Sequence, residues 1–482
     1  MNTIVVQSEE PCGVNLRDLA KKLAGPSRWA VQARLACEHL EALRLGAKKA
    51  AIRVWTAEAR GKPYLYALHK SDISERSYED VIAAVGQLPE RIGALYLHFP
   101  YCTKHCAHCH YYKTTSGSAE DWRGFPPLLL RELGLLLRLF KSTALMPDTI
   151  HFGGGTPSLI ERDPWIHMMR ELGNLVDLQG SREIAVEVDP ADLTEDHLDY
   201  WYSSGVNRIS LGVQSFDDGV LRRMNRQHTG AQGIAAVTAI QQSSIENLNV
   251  DLMYGMPGRE LATWQGDLDV IAELRPQSVT CYATRPDPQN QLSQAKLFPS
   301  EDERLVAHEM AITQLLALGY VQYSPNQFIL DYSGACLAKN NRNRCLDVLG
   351  VGPHAHSILQ GWFYEGMSGV DKYIRNINGG NLCPIRGEKI DAEEAKRRYM
   401  QFGIKLSGLR KPLLDNGISR SSYGAIFGSD LLADFEAPLR ELRDAQLIED
   451  LLGGSVALTH AGVLLSDDVV KMFAAVPQGR PH

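Results

Sequence analysis

No run of apolar residues in this 482-residue chain approaches the roughly 20 that a bilayer-spanning helix needs. Basic residues are not in excess. There are 50 Lys and Arg against 57 Asp and Glu, a net charge of −7, which argues against a general nucleic-acid or membrane-surface binder. The opening residues, MNTIVVQSEEPCG, carry acids and lack the basic-then-apolar order of a secretory signal. A cytoplasmic protein is therefore expected, with neither membrane nor nucleic acid as partner. In that compartment the nine cysteines are thiols or ligands rather than disulfides. Residues 1–91 hold no catalytic motif and are read as an N-terminal extension. The glycine run Gly153–Gly155 is followed by no Gly-Lys-Ser/Thr, so it is not a P-loop, and it does not match the dinucleotide fingerprint.

The chain is organised around Tyr96–Tyr112, YLHFPYCTKHCAHCHYY. Cys102, Cys106 and Cys109 are spaced C-x3-C-x2-C. Thiolates are soft ligands for iron–sulfur clusters or zinc. Three on one short loop can hold three irons of a [4Fe–4S] cube and leave the fourth open to a small chelating molecule. The interleaved His105, His108 and His110 keep a zinc site in play, although structural zinc sites close four ligands, and no second Cys-x2-Cys pair follows.

From residue 92 short apolar or β-branched runs alternate with helical ones. Strands are expected at Ala94–Phe99, Thr149–Gly153, Glu183–Val188, Arg208–Val213, Leu248–Tyr254 and Ser278–Ala283. Helices are expected at Trp122–Lys141, Ser158–Leu178, Thr194–Ser204, Gly230–Ser243 and Leu261–Leu274. Six β/α units make an α/β fold, a partial (βα)6 TIM-like barrel whose chemistry collects where the strands end. The cysteine loop, Gly153–Ser158, Glu187, Gln214, Asp251 and Ala283 all fall at those ends. In the extension, Leu16–Leu23 and Arg28–Lys48 read as helices and Ala51–Trp55 and Tyr64–His69 as strands. Residues 92–375 are read as the barrel with its own extension. In 390–475, Ala392–Leu406, Leu413–Phe427 and Asp430–Ala445 read as helices, followed by a hairpin over Ser455–Leu465. That is a winged-helix-like pattern, whose mixed charge favours packing over nucleic acid.

The motifs YLHFPYCTKHCAHC, HFGGGTPS, VEVDP, GVNRISLGVQSFDDGVLRRMNRQH, NVDLMYGMPG, GYVQYSPNQF and LGVGPHAHS occur in this order. Together they resemble the oxygen-independent coproporphyrinogen III oxidase-like branch of the radical S-adenosylmethionine (SAM) superfamily. The resemblance implies a [4Fe–4S] cluster on Cys102, Cys106 and Cys109, two SAM molecules, an electron donor such as flavodoxin or ferredoxin, a small-molecule substrate and a monomer. It implies that Tyr96, Gly154, Glu187, Arg226 and Asp251 contact the cluster-bound SAM. His108, Gly155, Thr156, Gln214, Ala283 and His356 would contact the second.

Three departures shape the expected reaction. His108 stands where the family usually has an aromatic residue. His110–Tyr111 replaces the Gly-Cys of the porphyrinogen oxidases, and CHYYK differs from the Asp/Ser-Phe pair of the haem chaperones. The stretch looks most like the class C methyltransferase and cyclopropanase branch. The expectation is therefore transfer of a SAM-derived methyl or methylene group to an sp2 carbon of a natural product. His105, His108, His110, Tyr111, Tyr112, His354 and His356 are the acid/base candidates, since histidine titrates near neutrality. Two other readings stay open: a tetrapyrrole-acting relative (coproporphyrinogen decarboxylation, haem opening or haem transfer), and a zinc-knuckle and winged-helix binding module.

Overall fold

Six strand segments place polar, aromatic or small side chains at every second position and apolar ones between. The computed structural model describes residues 16–23, 26–58, 74–76, 78–86, 88–142, 144–258, 261–284, 291–294, 298–366, 369–411 and 416–474. In chain order its strands are β1 (Ser74–Arg76), β2 (Arg91–Phe99), β3 (Met146–Gly154), β4 (Glu183–Val188), β5 (Arg208–Gln214), β6 (Asn247–Tyr254) and β7 (Ser278–Ala283). They continue with β8 (Val321–Ser324), β9 (Gln327–Ile329), β10 (Val348–Val351), β11 (His356–Leu359), β12 (Trp362–Gly366) and β13 (Ile385–Lys389). These thirteen form one sheet in the order β1-β13-β12-β11-β10-β2-β3-β4-β5-β6-β7-β9-β8. Strands β10 and β2 to β7 run parallel and antiparallel strands extend both edges. The six expected strands are all present. A seventh parallel strand, from the LGVG of residues 349–352, pairs with β2.

Side-chain alternation explains why these parallel strands do not read as unbroken apolar runs. Ile150, Phe152, Val186, Ile209, Leu211, Val250 and Val279 are buried on the face covered by helices; Phe152, for example, packs 4.8 Å from Trp165 on helix Arg162–Leu172. Tyr96, His151, Glu187, Ser210, Asp251 and Tyr282 lie on the other face, inside the barrel. The Glu187 side chain is 45% exposed although it stands on a central strand, so this face borders an open lumen.

The segment between β9 and β10 crosses beneath the barrel and closes its lower end. Its backbone and Asn341 bond to residues at the starts of five strands. Arg208 donates to Gly334 O at 3.0 Å and Asn247 to Ser333 O at 2.7 Å. Glu183 accepts from the amides of Leu337 and Ala338 at 2.8 and 3.0 Å, where a carboxylate suits the start of a helix. Asn341 donates to Asp148 and to Gly93 O at 2.6 and 2.8 Å.

Several expected elements are corrected. Ala51–Trp55 is helical, inside Leu45–Glu58: Leu45 and Ile52, seven apart and both buried, share one helix face, and a short apolar run does not distinguish strand from helix by itself. Arg28–Lys48 divides at Arg44 (φ 52°) into Arg28–Ala42 and the helix just named. Trp122–Lys141 divides into Ala119–Gly124 and Pro126–Leu139, because Pro126 and Pro127 provide no amide to continue the first helix. Ser158–Leu178 becomes a single-turn 3-10 helix, Pro157–Leu159, followed by Arg162–Leu172. Tyr64–His69 lies outside the described residues.

In the C-terminal part, strands β14 (Ile418–Ser419), β15 (Ile448–Asp450) and β16 (Ser455–Leu458) form a second antiparallel sheet, in the order β14-β16-β15. Of the expected helix Leu413–Phe427, residues 413–415 lie outside the described residues, Ile418 and Ser419 pair with β16, and Arg420–Phe427 is helical. Asp430–Ala445 divides at Phe435 (φ −125°) into Leu431–Asp434 and Glu436–Asp444. Arg420 and Arg443 form two-pronged pairs with Asp430 and Asp450, so these arginines are engaged within the module. The main apolar core runs from Leu16 through the barrel to Phe473.

Candidate active site

The cysteine loop leaves the top of β2 and its base is pinned by backbone bonds, Cys102 N to Thr114 O at 2.9 Å and Thr114 N to Pro100 O at 2.8 Å. The glycine turn after β3 lies directly beneath it. Gly155 N donates to Phe99 O at 2.6 Å and Thr156 N to Tyr101 O at 2.8 Å. A Cβ on Gly155 would stand 2.4 Å from Tyr101 O, so glycine is required here for close backbone approach. Thr156 Oγ1 donates to Cys102 Sγ at 3.2 Å. On the far side Ala107 N bonds Met224 O at 3.0 Å and Asn225 Nδ2 bonds His105 O at 2.7 Å.

Cys102, Cys106 and Cys109 are free thiols on one loop, and this all-thiol donor set fits an iron–sulfur cluster. Burial pushes the Cys102 thiol up to about 12, opposed by the Thr156 hydroxyl; a bound metal's positive charge reverses that preference and holds the thiolate.

Arg226 is the loop's cationic neighbour. Its Nη1 lies 3.4 Å from Cys106 Sγ, and its Nη2 donates to Gly212 O at 2.5 Å and pairs with Asp189 at 3.0 Å. Burial would lift Asp189, but the Arg226 charge holds it below the ordinary carboxylate range. His228 Nε2 donates to Val213 O at 3.1 Å and its Nδ1 faces Asp189 at 3.5 Å.

Inside the barrel the predicted cofactor residues fall into two polar groups, one around Glu187 and one around Asp251. Tyr96 stacks on His151 with ring centroids 5.8 Å apart. His151 Nε2 donates to Glu187 Oε1 at 2.9 Å, and Gly154 N approaches Oε2 at 3.4 Å. Desolvation by the surrounding barrel wall works against the Glu187 charge, but His151 and the Gly154 amide outweigh it and keep its pKa below the usual value. Asp251 accepts from Asn249 at 2.7 Å and Ser210 at 3.1 Å. Burial raises it to about 6, with the two donors opposing and the Glu187 charge adding to the rise. Gln214 ends β5 in the left-handed region (φ 68°), beside a register shift. Ala283 ends β7 next to Tyr282, which is 41% exposed to the lumen.

The opposite wall comes from 349–357 and β12. Glu365 pairs with Arg386 at 2.7 Å, with His354 Nδ1 at 3.3 Å and with His356 Nδ1 at 3.9 Å. Although burial opposes its charge, these partners bring Glu365 down to about 2. His354 also stacks on Tyr112 at 4.1 Å and His356 on Phe363 at 5.7 Å.

The acid/base candidates differ in placement. His108 is held neutral, its pKa depressed to about 3 by burial and then by the Arg226 charge. His105, His110 and Tyr111 are exposed, Tyr111 by 61%, and the last two stack on each other at 4.6 Å. Sequence reasoning missed His98 and His151, although their period-two spacing with Tyr96 and Gly153 was visible. His98 donates from Nε2 to Tyr112 O at 3.0 Å and accepts at Nδ1 from Tyr96 at 3.1 Å. Burial depresses its pKa to about 4. The Arg226–Cys106 contact and Glu365 had no local signal.

The chain matches the family model of the radical SAM superfamily over residues 96–271. The heme chaperone HemW of Buchnera aphidicola subsp. Schizaphis graminum is 30% identical over 303 residues, covering 62% of this chain and 74% of that protein. The oxygen-independent coproporphyrinogen III oxidase of Bradyrhizobium diazoefficiens is 27% identical over 378 residues, covering 70% and 83%. Among solved structures, coproporphyrinogen III oxidase (HemN) from Escherichia coli, a radical SAM enzyme, shares the fold, with a TM-score of 0.71 at 24% identity over 84% of this chain and 95% of that one. These relatives overturn the methyltransferase and cyclopropanase expectation drawn from Cys109–Lys113. The side chains that carried it, His110 and Tyr111, are exposed and stack on each other. No helix among the described residues is long and apolar enough to cross a membrane.

Proposed function

Because this chain belongs to the radical SAM superfamily, and within it to the family of HemW and oxygen-independent coproporphyrinogen III oxidase, we propose that it is a radical SAM protein acting on a tetrapyrrole. The observation that carries the reading is the loop of three thiols at the mouth of a lumen lined by Tyr96, Glu187, Asp251 and Tyr282. When bound, the cluster and SAM supply reductive cleavage of SAM to methionine and a 5′-deoxyadenosyl radical that abstracts hydrogen from substrate. The electron comes from a flavodoxin or ferredoxin.

The chain's own part is binding and orientation. Cys102, Cys106 and Cys109 hold the cluster, and the Arg226 cation stands beside one thiolate. Glu187, anchored by His151, offers a fixed anion to the polar groups of SAM, and Asp251 serves as a second acceptor. Asp251 titrates near 6, so it also donates a hydrogen bond when protonated. The closed lower end of the barrel limits entry of water from below. We extend the proposal to a second SAM, held by Gly155, Thr156, Gln214 and Ala283 with His108 and His356. Equilibrium dialysis should count two molecules per chain, and a count of one would remove this extension.

The test is anaerobic reconstitution with dithionite and SAM, followed by addition of coproporphyrinogen III or haem. The expected result is 5′-deoxyadenosine in the presence of SAM, with its yield raised by one of the tetrapyrroles and that tetrapyrrole altered. If neither tetrapyrrole binds nor changes the yield, the reading fails. The HemW relatives favour a second outcome, haem transfer. In that case haem binds with a Soret shift and leaves unaltered to an apo-acceptor.

A further inference from the structure

Outside the lumen, three ligand-type side chains meet where three parts of the chain converge. His39 lies on helix Arg28–Ala42, Glu309 in the middle of Glu301–Ala317 and His460 at the start of His460–Leu464. The Glu309 side chain has no exposed surface. His39 Nδ1 meets one of its oxygens at 2.6 Å and His460 Nε2 the other at 2.8 Å. The two imidazoles pack edge to face at 4.7 Å. This is the one trio of His, Cys, Asp or Glu among the described residues whose ligand atoms all lie within 4.8 Å of one another. The His39 and His460 side chains remain 40% and 20% exposed, which leaves an ion a way in.

We propose that His39, Glu309 and His460 form a site for a zinc-class divalent cation that ties the N-terminal helix and the C-terminal module to the barrel. Two imidazole nitrogens and a carboxylate oxygen are a borderline donor set suited to Zn2+, with water in the fourth position. Zinc bonds of about 2.0–2.1 Å set neighbouring ligand atoms about 3.3 Å apart. From 2.6 and 2.8 Å the His39 and His460 imidazoles therefore draw back by about 0.7 and 0.5 Å, shifts that partly exposed side chains can make. Each ring moves its N–H to the far nitrogen, so two neutral imidazoles bind without net loss of a proton. The cation would also neutralise a carboxylate otherwise buried against two imidazoles. Because the ligands meet only in the folded chain, binding adds to stability. The proposal is independent of the tetrapyrrole reading.

The test uses the full-length chain with Cys102, Cys106 and Cys109 all changed to alanine, so that the cluster loop holds no zinc. After dialysis against a chelator, Co2+ is added, followed by Zn2+. The expected result is one Co2+ per chain with visible d–d absorption, displaced by Zn2+, and a thermal midpoint raised by Zn2+. His39→Ala and His460→Ala should each weaken binding at least about tenfold and remove the thermal shift. Glu309→Gln, which keeps the side chain's shape, should do the same. Binding of less than a tenth of an equivalent, or binding unchanged in His39→Ala and His460→Ala, would overturn the proposal.

Discussion

Arg226 sets its guanidinium 3.4 Å from the sulfur of Cys106. Asp189, 3.0 Å from the same guanidinium, fixes its direction. A cation hydrogen-bonded to a ligand sulfur stabilises the reduced, more negative cluster. Arg226→Ala should leave the three thiolates able to hold the cluster but shift its reduction potential downward. It should also slow 5′-deoxyadenosine formation by roughly 10- to 100-fold. Asp189→Asn removes the anion that offsets this cation and should shift the potential the other way, upward. Potentiometric titration followed by electron paramagnetic resonance reads the potential; an unchanged value in Arg226→Ala would refute the link.

Glu187 is expected to act through its charge. Glu187→Gln preserves its size and can still accept from His151 at one oxygen, but it removes the anion. Hydrogen bonds to a charged group contribute about 1.5–3 kcal/mol, so SAM affinity should fall by roughly 10- to 100-fold while iron content stays the same. Calorimetric titration with SAM under anaerobic conditions measures it. Equal affinity in the two proteins would remove Glu187 from the SAM site.

Glycine at 155 is set by backbone, not by a movable side chain. A methyl group there meets Tyr101 O at 2.4 Å and Phe99 O at 2.8 Å. Gly155→Ala should cost about 1–3 kcal/mol and displace the base of the cysteine loop, lowering iron bound per chain. Gly134→Ala serves as the contrast. Its Cβ would meet only Arg138 Nη1, at 3.9 Å, on helix Pro126–Leu139, and it should be neutral or stabilising by about 0.5–1 kcal/mol. Thermal midpoints and iron analysis of the two variants should separate them.

Buried Glu132 should make stability depend on pH. Its Oε2 accepts from Tyr373 at 2.6 Å and from Gly352 N at 2.7 Å. Burial nevertheless lifts its pKa from 4.5 to about 7, outweighing those two donors. The folded protein therefore keeps a proton that the unfolded chain releases near 4.5. The contribution is fully present below that pH, falls as pH rises and is lost above about 7. Glutamine resembles the protonated acid, so Glu132→Gln should gain on the parent by on the order of 2–3 kcal/mol between pH 5 and pH 8. Denaturant titrations at the two pH values check it; a constant difference would refute the assignment.

What the chain's order of residues determined alone was local. The six barrel strands and the three cysteines were legible because strand period and ligand spacing are properties of neighbouring residues. Ala51–Trp55 was misread because a five-residue apolar run satisfies a strand or a helix face equally, and only Leu45 and Ile52 burying together decided it. The four residues after the third cysteine suggested the wrong reaction, because so short a stretch of loop carries little of what distinguishes one barrel reaction from another. Tertiary structure decided what stands across the fold. It brought Arg226 to a sulfur 120 positions away and Glu132 to an amide 220 away, and it passed residues 330–347 beneath the barrel. Those contacts depend on how helices and strands stack, and no local spacing records that.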